Sequence, residues 1–332
     1  MFKLGFCCKF IESDAHIKAI PKTAKCKRYN VSTTTIRHLD TLTEQQAEQK
    51  LINLAKDNIQ AIYLLVDLVS KQPTHFRMLR LPSEILPCYT HENYSWVYQT
   101  PKVQNFLSEE LSKVGVLARE TQVRLSFHPG QFCVLGSDKD YVIRNSIEEF
   151  EYHASLAKLM GYGKEFQDFK CNIHIAGRAG VRGFRDVFST LSKEAKNIIT
   201  VENEEMSHNL EEVLKVQDLC PIVLDIHHHW VKDSEFLDAK DSRVQEVINS
   251  WRGKRPTMHY SQSKEELFPN TEEFPSKDNK TKSSLRAHSN YYHNKQLNKH
   301  VIPFLESFDI MLEAKAKNLA RDRFYEEIRC YI

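Results

Sequence analysis

Glycine and proline are both scarce, at 10 and 11 of 332 residues, so the chain has little material for long flexible linkers or a low-complexity tail. No apolar run approaches the roughly 18 residues that a membrane span needs. The apolar start, MFKLGFCCKFI, is followed by no small-residue cleavage site; it is too short for a signal peptide and reads as a strand. Charge of one sign is also missing: 46 Lys and Arg against 44 Asp and Glu leave a net +2. A polyanionic partner must therefore be held by local basic patches and not by a global field. The eight cysteines show no paired spacing, and the neighbours Cys7 and Cys8 cannot easily bridge each other. That pattern predicts reduced thiols and an intracellular protein.

What is present is a repeating alternation. β-rich runs at 2–8, 75–80, 122–128, 170–176, 197–202, 221–226, 255–260 and 308–313 are separated by amphipathic stretches. Helices are expected near 43–71, 102–120, 139–161, 182–195, 208–218, 240–251, 294–306 and 314–330. The stretch 59–69 is apolar enough for a strand, but Leu51, Leu54, Ile59, Ile62, Leu65, Val66 and Val69 fall at helical spacing behind a capping Thr43. Strand–helix alternation of this kind predicts one α/β domain over 1–332, a TIM-type (β/α)8 barrel of parallel strands inside a ring of helices. The segment 262–290, SQSKEELFPNTEEFPSKDNKTKSS at its core, is polar; it is expected to be a long surface loop, in part disordered.

In a parallel barrel, catalytic groups sit at the C-terminal ends of the strands. Read to its end, the third strand delivers His128, the fourth His174, the fifth Glu202, the sixth Asp225 followed by His227, His228 and His229, the seventh His259 and the eighth Glu313. Glu84 follows the second strand. Any one of these is more often a hydrogen-bonded structural residue, but six coincidences on one rim argue for a metal cluster. Mixed imidazole and carboxylate donors suit Mn²⁺, Zn²⁺ or Fe²⁺, and the number of donors calls for two or three ions. Clusters of that kind serve phosphodiester cleavage.

The motifs LSFHPGQF, HIAG, VENEE, LDIHHHW, WRGKRPTMHYSQS, RAHS and IMLEAK, in that order, resemble those of UV damage endonucleases, relatives of the endonuclease IV barrel. The resemblance spans nearly the whole chain. It implies a Mn²⁺-type enzyme that cuts one strand of duplex DNA immediately 5′ to cyclobutane dimers, 6-4 photoproducts or some abasic sites, leaving a 3′-hydroxyl. It further implies His128, His174, Glu202, Asp225, His228, His259, His288 and Glu313 as ligands, with Glu84 a further candidate and Glu202, Asp225 and His259 at the catalytic centre. His228 is preferred over its neighbours because it lies three residues after Asp225. Gln131 and Phe132 stand where the family carries a Gln-Tyr pair that wedges into the duplex; the competing reading of Phe132 is a core residue. Thr257 stands where a lysine is expected two residues before His259.

Arg178, Arg182 and Arg185 after the fourth strand, and Lys22, Lys25, Lys27 and Arg28 after the first, are candidates for phosphate contacts. The expected protein is a monomer that binds lesion-containing duplex and no membrane. Two other functions fit the same barrel: a metal-dependent sugar isomerase or epimerase, and a non-catalytic lesion-binding homologue.

Overall fold

The computed structural model describes residues 1–19 and 27–332. Eight parallel strands close into a barrel in sequence order: β1 (Leu4–Cys7), β2 (Met78–Arg80), β3 (Arg124–Phe127), β4 (Lys170–His174), β5 (Ile199–Glu202), β6 (Ile222–Asp225), β7 (Thr257–Tyr260) and β8 (Asp309–Leu312). Closure comes from the pairing of β1 with β8, where Leu4 faces Ile310 and Phe6 faces Leu312. Each strand lies inside its expected run and is shorter at one or both ends, because only the ladder-paired residues count as strand.

The longer helices are α1 (Glu44–Ser70), α2 (Pro101–Glu120), α3 (Asp140–Leu159), α4 (Gly180–Thr190), α5 (Lys193–Ile198), α6 (Leu210–Leu214), α7 (Ile226–Asp233), α8 (Ser242–Ser250), α9 (Lys295–Val301) and α10 (Lys317–Ile328). The ambiguous apolar stretch belongs to α1. Thr43 and Gln46 form a reciprocal capping box there, and Leu51, Ile59, Ile62, Leu65, Val66 and Val69 are buried along one face. The tertiary stripe, not the local run of β-formers, decides the conformation.

Three expectations are corrected. The helix foreseen over 182–195 is two, because Leu191 is extended and Ser192 caps α5 by accepting from the Ala195 amide. The helix foreseen over 294–306 gives way at Ile302 to a 3₁₀ turn that carries Pro303, whose missing N–H cannot continue an α-helix. The segment 262–290 is largely irregular and keeps much of its length at the surface, but it is tied to the barrel and not in part disordered. Ser263 pairs with His288 as a β-bridge, Gln262 bonds Tyr260 and Asn298 in the core, and Phe268 and Leu285 pack with Trp230. Leu267 packs against the same group, and Phe274 lies against Phe236 and His300.

Among the described residues no helix is long and apolar enough to cross a membrane, and none of the described cysteines is in a disulfide.

Candidate metal centre

Side chains alternate across a strand, so His174 on β4 and its register partner Glu202 on β5 share a layer. Asp225 on β6 faces His259 on β7 in the same way. The result is one cluster at the C-terminal mouth, with Glu202 at its centre. Its Oε2 lies 3.4 Å from His128 Nε2 and 3.8 Å from His174 Nε2. Its Oε1 lies 2.9 Å from His259 Nδ1 and 3.5 Å from His228 Nδ1. Donor atoms of three groups, His128–His174–Glu202, Glu202–Asp225–His228 and Asp225–His259–Glu313, each converge within 4.8 Å.

The chain holds these donors from behind. Asn172, two residues before His174 and on the same inward face, donates to Glu202 Oε2 and accepts from Thr200 Oγ1 at 2.9 Å. Asn203 clamps the Asp225 backbone from both sides, at 2.9 Å each way. Asp225 is also the N-cap of α7, accepting from the His228 amide at 2.7 Å. A helix that starts at that point turns successive side chains by about 100°, which separates the three histidines. His228 faces Glu202 and Glu205, His227 reaches the Leu285 carbonyl, and His229 turns to Glu235. The spacing argument for His228 therefore has a helical cause.

Below the cluster lie two cations that sequence reasoning missed. Arg80 Nη2 is 2.5 Å from Glu313 Oε1 and 3.0 Å from His259 Nε2, and Lys170 Nζ is 2.9 Å from the same imidazole nitrogen. The signal was available, since Lys170 precedes Asn172 and His174 at period two on β4 and Arg80 ends β2. Glu205 and Arg286, joined at 2.7 Å, were also missed; both lie on rim loops that strand periodicity does not reach.

Electrostatics favour a cation here. Burial pushes His259 down to about 3 and His174 down to about 4, which favours the neutral imidazole that a metal ion requires. Burial raises Glu202 and Glu313, but hydrogen bonds from the surrounding imidazoles at the first and the Arg80 guanidinium at the second outweigh it, holding both carboxyls well below the usual range. Burial pushes Asp225 up, and its neighbours Glu202 and Glu313 add to this by crowding it with like charge. The buried atoms Asp225 Oδ2 and His174 Nδ1 have no hydrogen-bond partner. Orphaned donors beside crowded carboxylates are costly unless something further satisfies them; this donor set fits divalent metal ions.

A profile of the family described as UV-endonuclease UvdE matches residues 2–331. The chain belongs to this family. It is 29% identical over 267 residues to the UV DNA damage endonuclease of Bacillus velezensis, covering 76% of this chain and 74% of that protein. It is 26% identical over 312 residues to the UV DNA damage endonuclease of Bacillus thuringiensis, covering 89% and 88%. Among solved structures, SacUVDE matches with a TM-score of 0.73 at 19% identity, over 100% of this chain and 99% of that one. Endonuclease IV from Thermus thermophilus matches with a TM-score of 0.53 at 11% identity, over 99% and 98%. Those two likenesses show the shared barrel.

The remaining expected residues of this UvdE-family chain divide. His288 lies beside the cluster, its ring 6.5 Å from that of His228; Nδ1 meets the Glu313 carbonyl at 2.8 Å, which leaves Nε2 available. Glu84 does not join: its side chain is exposed, and the segment is held instead by Asn58, which bonds the carbonyls of Glu84 and Ile85. Gln131 is exposed and Phe132 is 82% exposed, so Phe132 is not a core residue. The tail of that loop is pinned where Gly177, at φ +98°, meets Gly136; a Cβ there would lie 2.5 Å from the Gly136 carbonyl oxygen. Arg178 and Arg182 are exposed. Arg185 is committed elsewhere, to Asp218 at 2.5 Å and the Lys215 carbonyl. Lys27 and Arg28 are described; Lys22 and Lys25 lie outside the described residues.

Proposed function

We propose that this protein nicks one strand of duplex DNA immediately 5′ to UV photoproducts, by hydrolysis that leaves a 3′-hydroxyl. The observation that supports the reading most is the position of Glu202, one buried carboxylate shared by four imidazoles at the open mouth of a UvdE-family barrel. His128, His174, Glu202, Asp225, His228, His259 and Glu313 would hold two to three divalent ions, Mn²⁺ or Zn²⁺, with His288 beside them. Bound there, the ions would supply Lewis acidity and charge neutralisation at the scissile phosphate.

The chain's own part is preorganisation. Asn172 and Asn203 keep Glu202 and Asp225 aimed before substrate arrives, so little reorganisation is needed during the reaction. Gln131 and Phe132 stand out from the rim beside His128 and fill the gap left when damaged bases are displaced, which offsets part of the unstacking cost of a few kcal/mol.

The test is an end-labelled duplex carrying one cyclobutane dimer, incubated with Mn²⁺ or with chelator. A single Mn²⁺-dependent nick 5′ to the dimer is expected. Bound but intact DNA would indicate a lesion-binding protein, and turnover of a ketose without nicking would indicate a sugar epimerase; either result removes the proposal.

A further inference from the structure

A second concave surface lies on the same mouth, one sector away from the cluster. Lys9 follows the end of β1, and Lys315 and Lys317 follow Glu313 after β8, the strand paired with β1. Together with Lys18, Lys27 and Lys50 they line a cavity of about 560 Å³. Among the described residues no carboxylate lines it, and none of the six lysines forms an ion pair. Lys50 comes from the outer helix α1, so the basic wall runs from the rim outward. Ile11 and Leu54 line it as well. The wall is anchored rather than fortuitous: Asn318 on α10 bonds the Ile11 backbone at 2.8 and 2.9 Å, and the Lys315 amide donates to the Ser289 carbonyl at 3.0 Å.

Six ammonium groups around one acid-free hollow repel one another, an arrangement that contributes nothing to stability without an anion. The hollow is too small for a duplex but suits the sugar-phosphate units of one strand. Its place, continuous with the strand ends that carry Glu313, puts it where a strand leaving the cluster crosses the rim. In a chain whose net charge is only +2, such a local concentration of positive charge is what a polyanion would find.

We propose that the β8/β1 lysine pocket is a backbone cradle, which takes consecutive phosphates of one DNA strand flanking the cut and reads no base. The proposal rests on the nuclease reading above and adds a surface to it. Phosphate contacts of this kind give salt-dependent, sequence-independent affinity, with a slope of about −0.9 in log K against log [salt] per contact.

The experiment uses the full chain and its K9Q/K18Q/K50Q variant, three lysines outside the proposed metal centre. A charge-matched control, K102Q/K193Q/K254Q, removes lysines elsewhere. Binding of dimer-containing and undamaged duplexes of equal sequence is followed by anisotropy from about 50 to about 200 mM salt, and nicking at saturating DNA is timed in parallel. The expected result is a salt slope shallower by about two to three for the first variant only. Affinity should weaken by the same factor on both duplexes, with the maximal nicking rate within twofold of wild type. An unchanged slope overturns the cradle while leaving the nuclease reading standing, and so does a loss confined to damaged DNA. Wild-type protein that binds and cuts neither duplex overturns both.

Discussion

The two mouths of the barrel are both built from buried charge, yet they are finished differently. At the N-terminal mouth, Asp309 accepts from Arg124 at 2.6 Å, from Arg255 at 2.8 Å and from the Lys3 amide at 2.8 Å. Arg255 spends its other donors on the carbonyls of Leu305, Glu306 and Phe308. One acid meets two guanidiniums, and each of these donors has an acceptor. At the C-terminal mouth three acids, Glu202, Asp225 and Glu313, share a ring of imidazoles and one guanidinium, Arg80, and Asp225 Oδ2 and His174 Nδ1 are left without partners. The first arrangement is complete as it stands; the second leaves ligand atoms that a divalent ion could satisfy. Charge alone does not distinguish a staple from a site, whereas unmet valence gathered among converging imidazole and carboxylate atoms does.

The largest expected effect separates the mouths by function. Glu202→Gln keeps the shape and removes the charge four imidazoles face. Nicking should fall by at least about 10³-fold, bound metal per chain should drop, and binding to damaged duplex should persist. Nicking at the wild-type rate would take Glu202 out of the mechanism. The opposite change, Asp309→Ala, strands two guanidiniums and should cost about 3–5 kcal/mol of stability. The folded fraction should still nick at the normal maximal rate. A variant that keeps its denaturant midpoint but loses nicking would erase the distinction drawn between the two ends.

The barrel was legible in the sequence because eight short runs repeat at intervals that only a strand–helix alternation satisfies, and every one of them became a strand. The rim donors were legible for the same reason: His174, Glu202, Asp225 and His259 end or nearly end their strands, so chain position maps onto barrel height. What sequence periodicity does not carry is reach across the barrel. Lys170 and Arg80 meet His259, whose neighbours in sequence say nothing of them. Glu84 lies apart from the converging donors because a residue beyond a strand end is aimed by its loop, which Asn58 holds by the Glu84 and Ile85 carbonyls. Over 262–290 polarity pointed to a surface loop but did not show that a few apolar residues suffice to tie the segment down.

A smaller effect follows from protonation. His153 is fully buried on α3, edge-on to Phe127. Nδ1 meets the Glu149 carbonyl at 2.7 Å and Nε2 has no partner. Burial pushes it down to about 4, against about 6.5 in an unfolded chain. Between those values the unfolded chain binds a proton that the folded one refuses, so stability falls as pH drops from about 6.5 to about 4. The loss is on the order of 3 kcal/mol for this group. His153→Leu should flatten that acid limb in urea melts of chelated protein between about pH 7 and about pH 4.5. Parallel curves for the two proteins would show that His153 is already protonated when folded.

The finest contrast lies within a single loop. Phe127 ends β3 wholly buried, and Phe132, just beyond it, is 82% exposed. Truncating the first should cost about 3–5 kcal/mol of stability by opening a cavity, while Phe132→Ala should stay within about 0.5 kcal/mol. An aromatic ring that contributes so little to folding, held in water beside His128, gains its energy only on contact with a partner. If that contact is stacking on displaced bases, Phe132→Ala should weaken binding to dimer-containing duplex by about 1–3 kcal/mol and leave binding to undamaged duplex nearly unchanged. Phe132→Tyr should restore the preference, since the stacking face is the same. Equal losses on both duplexes would mean the ring touches DNA without reading damage, and the wedge would have to be sought in Gln131 alone.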